Sequence, residues 1–408
     1  MKILILSKYA FSKEVGFETR LFAFSRIWVK NGNEVNIISS VDNYFGKFSK
    51  HYTKTYNTEV IDGINVTWIK TITYKKTISV RRVLSWIDFE WKLFWIRKEL
   101  LNKPEAIIVS SLSLLTILNG VRLQQKFNSK LIFEIRDIWP LTLIEEGGYS
   151  SSNPFVKILS WIEKWGYQKS DMIIGTMPNI AEHVNEVCKK TINCDCVPFG
   201  FKLEDYKEIL VNDAFENKYN IPQNKLVIGY AGSIGLSNGL DIFIETIKEL
   251  KDNDRIHFVI LGNGALRDKY MKYLGGCDNV QFLGKVERKE VKNVLAKCDV
   301  LYFAALNSKV WKYGWSPNKL IDYMMSGKPV LASYSGYQSM INEANSGLFV
   351  PSENKEALIE GINIMKDKSQ EELKKMGQRG REWLIQNRQW ETLADNYLAI
   401  MKKLISSK

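Results

Sequence analysis

Short runs of apolar, β-branched residues alternate along the chain with stretches whose apolar positions recur every three or four residues. In the first half the runs are KILIL from Lys2, EVNIIS from Glu34, INVTWI from Ile64, AIIVSS from Ala106, KLIFEI from Lys130 and MIIGT from Met172. Helical periodicity fills several of the intervals, notably residues 18–31 and 154–168. Runs this short and this apolar suit strands buried on both faces, and their alternation with helices predicts parallel sheets covered by helices, an α/β fold.

The second half repeats the theme more regularly. LVIGYAG, IHFVILG, VQFLG, DVLYFA and PVLASY are expected strands, separated by expected helices over residues 239–251, 265–274 and 287–297 and by the segment SPNKLIDYMMSG. Residues 199–225 lack sheet-like runs and read as a connection, so a boundary is expected near Pro198. The expected domains are residues 1–197 and 198–385, since 408 residues exceed what one core usually serves. Spaced aromatics and leucines in REWLIQNRQWETLADNYLAIMKKL predict one long helix running to the C-terminal end.

Composition narrows the class without naming it. At 45% hydrophobic and 25% charged, the chain is that of an ordinary globular protein. The apolar run after Met1 is too short for a secretory core, and no segment reaches the ~18 apolar residues of a membrane span, so a cytoplasmic protein is expected. Five cysteines are a poor disulfide framework. Cys188, Cys194 and Cys196 lie close together with His183 the only local histidine, which does not make a zinc-ligand spacing, so free thiols and no metal are expected.

The net charge of +12 is concentrated at the beginning: residues 1–100 hold 17 Lys and Arg against 9 Asp and Glu. Within them, VRRVLSWIDFEWKLFWIRKELL (residues 80–101) interleaves tryptophans and phenylalanines with arginines and lysines. The pattern fits an interfacial helix in peripheral contact with an anionic membrane, or a core helix with a basic end. No groove-entering motif accompanies the charge, so nucleic acid is not an expected partner.

In doubly wound sheets ligands collect beyond the carboxyl ends of strands. In SPNKLIDYMMSG, Ser316 is the expected N-cap, Pro317 the first helical residue, Asn318 and Lys319 the first turn, and Gly327 the C-terminal cap. A lysine in the first turn opposes the helix dipole by a few tenths of a kcal/mol, which an anionic ligand would reverse. Asp322 shares a face with Asn318 and Lys319 and could accept from vicinal hydroxyls. The alternative is a surface helix with a Lys–Asp pair worth ~0.3–0.5 kcal/mol. Gly232, Gly235, Gly262 and Gly264 follow expected strands and let backbone approach a phosphate, but none completes a dinucleotide fingerprint. The first strand's turn lacks one too, having only Gly16, which weighs against an NAD-dependent oxidoreductase or epimerase.

At this point the motifs resemble a family. YGWSPNKLIDYMMSGKPVLAS is similar to the nucleotide-sugar motif of family 4 glycosyltransferases, whose fold is GT-B: two Rossmann-like domains facing across a cleft. VQFLGKVERKEVKNVLAKCDVLYFAAL, FEIRDIWP and GFETRLFAFSRIWVKNGNEVNII resemble its other blocks. The resemblance implies a retaining, metal-independent transferase moving a sugar from a nucleoside-diphosphate donor, without a cofactor. The SPNKL and RDxWP signatures resemble a bacterial subgroup acting on N-acetylated or deoxy sugars in O-antigen and capsule assembly, with glycan or polyprenyl-linked acceptors.

By the same resemblance Asp322 takes the ribose-binding place, while the family's other glutamate falls at Gly314. Its usual Arg and Lys fall at Ser233 and Asn238, shifting weight onto Lys319. Gly16, Gly232, Ser233, Gly235, Gly262, Gly264, Lys285, Val286, Ser316, Pro317, Asn318, Lys319 and Asp322 are the implied donor-binding set. Asp137, Arg136 and Lys319 are the implied catalytic residues, and Glu134 and Arg20 the implied acceptor-side residues. The helix over residues 386–408 is implied to return to the first domain.

Overall fold

A computed structural model describes residues 1–15, 18–41, 52–74, 79–111, 113–206 and 219–407. Gly16 therefore lies outside the described residues. The chain forms two compact units, residues 1–199 with 390–408, and residues 200–389.

The first unit contains β1 (Lys2–Leu6), α1 (Arg20–Lys30), β2 (Glu34–Ser40), β3 (Tyr56–Ile61), β4 (Ile64–Ile69) and α2 (Val80–Phe94). It continues through β5 (Ala106–Ser110), α3 (Thr116–Phe127), β6 (Lys130–Ile135), α4 (Leu141–Glu145), α5 (Pro154–Lys169), β7 (Met172–Gly175), α6 (Ile180–Cys188) and β8 (Cys194–Cys196). The sheet order is β3-β4-β2-β1-β5-β6-β7-β8, parallel except between β3 and β4. Central strands carry apolar side chains on both faces, and β5 is buried throughout, as a sheet sandwiched between helices requires. Ser79 accepts from the Arg82 amide to start α2, and Asn153 accepts from the Phe155 amide to start α5 beside Pro154.

The second unit contains β9 (Leu226–Ala231), α7 (Asp241–Glu249), β10 (Ile256–Leu261), α8 (Arg267–Tyr273), β11 (Val280–Gly284) and α9 (Arg288–Lys297). Then come β12 (Val300–Ala304), α10 (Asn318–Met325), β13 (Val330–Ser333), β14 (Gly347–Val350), α11 (Lys355–Lys366) and α12 (Gln370–Asn387). This sheet is parallel, in the order β11-β10-β9-β12-β13-β14. Its order reverses between β9 and β12, the switch point at which such sheets leave a crevice.

Three local expectations are corrected. The single long helix is two, α12 and α13 (Trp390–Ser406), broken at Arg388 and Gln389. At the break Gln389 forms an isolated parallel bridge with Phe201, and the Phe201 amide donates to the Arg388 carbonyl. No glycine or proline marks it, because a tertiary pairing makes it. α13 then packs on α1: Trp28 Nε1 donates to the Ala394 carbonyl at 2.8 Å, and the Trp28 and Tyr397 rings meet edge-on. Next, β3 was not expected, yet Asp62 and Gly63, both at positive φ, turn it into a hairpin with β4. Finally, Ser316 does not cap α10: Pro317 occupies that position, and with no side-chain acceptor for the first-turn amides it leaves the helix without a side-chain cap.

Candidate functional site

The strand ends of the second unit are tied together by their backbones. The Gly232 amide donates to the Leu261 carbonyl and the Gly262 amide to the Gly284 carbonyl, so the turns after β9, β10 and β11 form one layer. Gly262 has φ +144, and a Cβ there would overlap the Gly232 carbonyl. A Cβ at Gly232 would instead meet Lys319 Nζ and Cε, at 2.6 and 2.7 Å. One glycine brings the turns together, and the other leaves room for the lysine.

Beside this layer opens a pocket of about 850 Å³, within the range of small-molecule sites. Gly232, Ser233, Gly262, Gly264, Lys285, Val286, Lys319 and Asp322 line it, together with Asn263, Val291, Leu295 and Tyr323. Gly235, Ser316, Pro317 and Asn318 are not among its lining residues. The register of α10 accounts for this: the helix starts at Asn318, and Lys319, Asp322 and Tyr323, spaced i, i+3 and i+4, are the residues that face the pocket.

Lys319 is the pocket's distinctive group. Its Nζ donates to the Tyr230 hydroxyl at 3.0 Å and to Asn238 Oδ1 at 3.2 Å, and it sits over the Tyr230 ring. No carboxylate pairs with it among the described residues. Burial lowers its pKa to about 8, because the surroundings offer a ring face and two neutral oxygens in place of water. An ammonium has three protons to donate, and two are placed here. Asn238, which stands where the resembled family carries a lysine, holds this one.

Two tyrosines that sequence reasoning passed over complete the frame. The Tyr323 hydroxyl accepts from the Ala231 amide at 2.8 Å and donates to the Ala231 carbonyl, pinning α10 to the end of β9. The Tyr206 hydroxyl donates to Asp322 Oδ1. The spacing of Tyr323, four residues after Lys319, was the available signal. Tyr206 precedes Asp322 by more than a hundred residues and gave none.

The remaining sequence-derived residues lie in the first unit. Arg20 is buried and approaches Glu134, Nη2 to Oε2 at 3.8 Å, while Glu134 Oε1 accepts from the Ser110 hydroxyl. The Arg20 and Arg136 guanidinium groups each lie 5.5 Å from the centre of the Phe199 ring. Burial lowers the Arg136 pKa, Glu134 opposes that shift, and Arg20 adds to it. Arg20, Glu134 and Arg136 thus form one cluster. Asp137 also opposes the Arg136 shift, while its oxygens are held within the loop: Oδ1 accepts from Thr142 Oγ1 at 2.7 Å and Oδ2 from Trp139 Nε1 at 2.8 Å.

The cysteine cluster divides as well. His183 Nε2 lies 2.7 Å from Glu163 Oε1 in a buried pair, and Cys188, Cys194 and Cys196 are free thiols. Among the described residues no group of His, Cys, Asp and Glu could hold a metal ion.

Comparison with known proteins places this geometry. Residues 211–383 match the family model for glycosyl transferases group 1. A 71-residue stretch is 37% identical to WcaI, a putative colanic acid biosynthesis glycosyl transferase of Escherichia coli (strain K12), and spans 17% of this chain and 17% of that protein. The fold is similar to sucrose-phosphate synthase from Thermosynechococcus elongatus, with TM-score 0.69 and 16% identity over 100% of both chains. It is similar to a glycosyltransferase from Rickettsia africae ESF-5, with TM-score 0.68 and 16% identity over 100% of this chain and 99% of that one. Anabaena HepE, in complex with UDP, has TM-score 0.65 and 12% identity over 99% of this chain and 100% of that one. The fold is GT-B. The group 1 match falls on the unit that carries the pocket, so residues 211–383 are similar to the glycosyl transferases group 1 domain and the whole chain shares the GT-B fold.

Proposed function

We propose that this protein is a retaining glycosyltransferase whose second unit binds a UDP-linked sugar, an N-acetylated or 6-deoxy amino sugar. The acceptor is a polyprenyl-diphosphate-linked glycan at the inner face of the cytoplasmic membrane, and the product enters a surface polysaccharide such as O-antigen or capsule. The partial likeness to WcaI supports that setting, and the UDP complex of HepE supports the nucleotide.

One observation carries the reading: an ammonium enclosed at the sheet's switch point, with no carboxylate partner among the described residues and a pocket of ligand size beside it. A diphosphate supplies the missing negative charge. Lys285 and Val286, on the turn after β11, meet the nucleobase through their backbone, and Asp322 accepts from the ribose hydroxyls.

Transfer breaks the bond between the sugar's anomeric carbon and the diphosphate oxygen, and charge develops on that oxygen. Lys319 and the backbone of the turn at Gly232 meet it, the electrostatic stabilisation worth most in a dry site. The acceptor hydroxyl bonds to the anomeric carbon on the face the diphosphate leaves, and its proton passes to the departing phosphate oxygen. Configuration is retained, no enzyme nucleophile is needed, and no metal enters the sequence. Arg136 meets a phosphate, Arg20 and Glu134 shape the acceptor side, and Asp137 acts by holding its own loop.

The test is calorimetric titration with UDP, GDP and NAD, followed by a transfer screen over UDP- and GDP-sugars. UDP binding that Lys319→Met weakens by about 10- to 100-fold, with no NAD binding, is expected. Undiminished UDP affinity in that variant would sink the proposal.

A further inference from the structure

α2 carries two apolar faces, and only one belongs to the core. Trp86, Phe89 and Leu93 are buried beneath it. At about 100° per residue, Leu84, Ile87 and Trp91 project to the opposite side. They are exposed, and the stripe continues into Phe94 and Trp95; Trp91 is 63% exposed and Trp95 62%. Two large tryptophans left in solvent at the end of one helix are not the scattered apolar residues of an ordinary surface.

The face extends beyond α2. α3 lies alongside it, with Asn119 donating to the Glu90 carbonyl at 3.0 Å. α5 lies on the other flank of α3, where Gly166 meets Ile117 closely. On α5, Ile158 and Trp161 are exposed, Trp161 at 61%, and Trp161 stacks on Trp165. Three neighbouring helices therefore share an outer surface with exposed aromatic rings on both flanks.

Cations stand among those rings. The Arg122 guanidinium covers the Phe94 ring at 4.5 Å, and Lys126 feels the positive charges of both Lys98 and Arg122, opposed by Glu99. Interfacial binding combines apolar rings that enter the headgroup boundary with cations that stay at the phosphates. A second copy of this chain is a poorer occupant, because a two-fold contact through this face would bring these like charges toward one another.

We propose that the outer face of α2, α3 and α5 docks on a bilayer containing anionic phospholipid. This deepens the proposed function, giving the transferase a route to a lipid-borne acceptor, and rests on that reading only for its purpose. The docking is measured apart from catalysis.

The experiment is flotation of the full chain with vesicles of phosphatidylcholine alone or with about one-third phosphatidylglycerol. Expected are flotation with the anionic vesicles only, and release as salt rises from about 0.1 M to 0.5 M. Trp91→Ser/Trp95→Ser/Trp161→Ser should lower the bound fraction by at least about tenfold. Lys98→Glu/Lys126→Glu should do likewise. Both variants should keep the wild-type circular dichroism melt and UDP affinity. The proposal is overturned if wild type fails to float, or if both variants float as well as wild type. It is also overturned if light scattering finds a dimer that the tryptophan variant dissolves while vesicles leave the protein unbound. Loss of UDP binding with flotation intact would instead overturn the proposed function alone.

Discussion

Lys319 Nζ lies 3.0 Å from the Tyr230 hydroxyl and 4.5 Å from the centre of the same ring. The hydroxyl turns its proton to the Ser233 carbonyl, at 2.7 Å, so it can only accept from the lysine. The charge is thereby aimed without being neutralised. Burial also pushes the Tyr230 phenol up, so it stays protonated and does not become a counter-ion. Such a cation is unfavourable to the empty protein and favourable to an anionic ligand.

The first prediction concerns pH and donor binding. With the Lys319 pKa at about 8, the charged form is full at pH 6.5 and mostly lost by pH 9. UDP affinity should be flat below pH 7 and fall as pH rises through 8. Binding should also take up a proton near pH 8.5, because the diphosphate restores the ammonium. Calorimetry in buffers of different ionisation enthalpy reads that uptake directly; none at pH 8.5 would contradict the assignment.

Stability should move the other way. A lysine whose folded pKa of about 8 lies below the unfolded value of ~10.4 penalises folding in full below pH 8, and the penalty fades as pH rises toward 10. Lys319→Met should therefore be more stable than wild type by about 1–3 kcal/mol at pH 7, with the difference shrinking by pH 10. Urea unfolding at the two pH values measures it. The same variant should lose about 10- to 100-fold in UDP affinity, the worth of a charge-assisted hydrogen bond.

Gly232 and Gly262 should separate packing from ligand binding. At Gly262 the new Cβ meets a carbonyl that cannot move without parting the turns, and φ is +144, so Gly262→Ala should cost roughly 3 kcal/mol or more. At Gly232 the obstacle is the flexible end of Lys319. Gly232→Ala should cost less than about 1 kcal/mol while displacing the ammonium and lowering UDP affinity about tenfold. Equal effects of the two substitutions on stability would refute this division.

How much of this was legible in the sequence depended on whether the cause was local. Five of the six strands of the second unit, all but β14, are short apolar runs that were expected, three of them ending at a glycine, and SPNKLID announced a lysine and an aspartate on one helical face; Lys319 and Asp322 do line one pocket. The Asp62–Gly63 hairpin was not read: the dipeptide is a turn signal, but the run before it, YNTEVI, is too polar to suggest a strand. The break at Gln389 was not legible, because its cause is Phe201, far away in the chain. Nor was the occupation of Asp137, whose acidic side chain next to an arginine suggested chemistry. Its partners Trp139 and Thr142 satisfy it within the loop.

The last prediction tests the buried pair in the first unit. Arg20 and Glu134 are both nearly inaccessible, their closest atoms are 3.8 Å apart, and Glu134 Oε2 and all three guanidinium nitrogens of Arg20 lack hydrogen-bond partners. Such a pair contributes little net stability, since each ion has lost its water and the contact is too long for a good hydrogen bond. Removing one member is different, because the other is then left charged in an apolar setting beside Phe24 and Phe199. Glu134→Leu alone should cost about 3–5 kcal/mol, and Arg20→Met alone a similar amount. Arg20→Met/Glu134→Leu together should recover only part of that loss, because Arg136 is then left buried without Glu134. If the double variant folds yet loses transfer while keeping UDP affinity, the pair is retained for the acceptor side. If transfer survives, the pair is only packing.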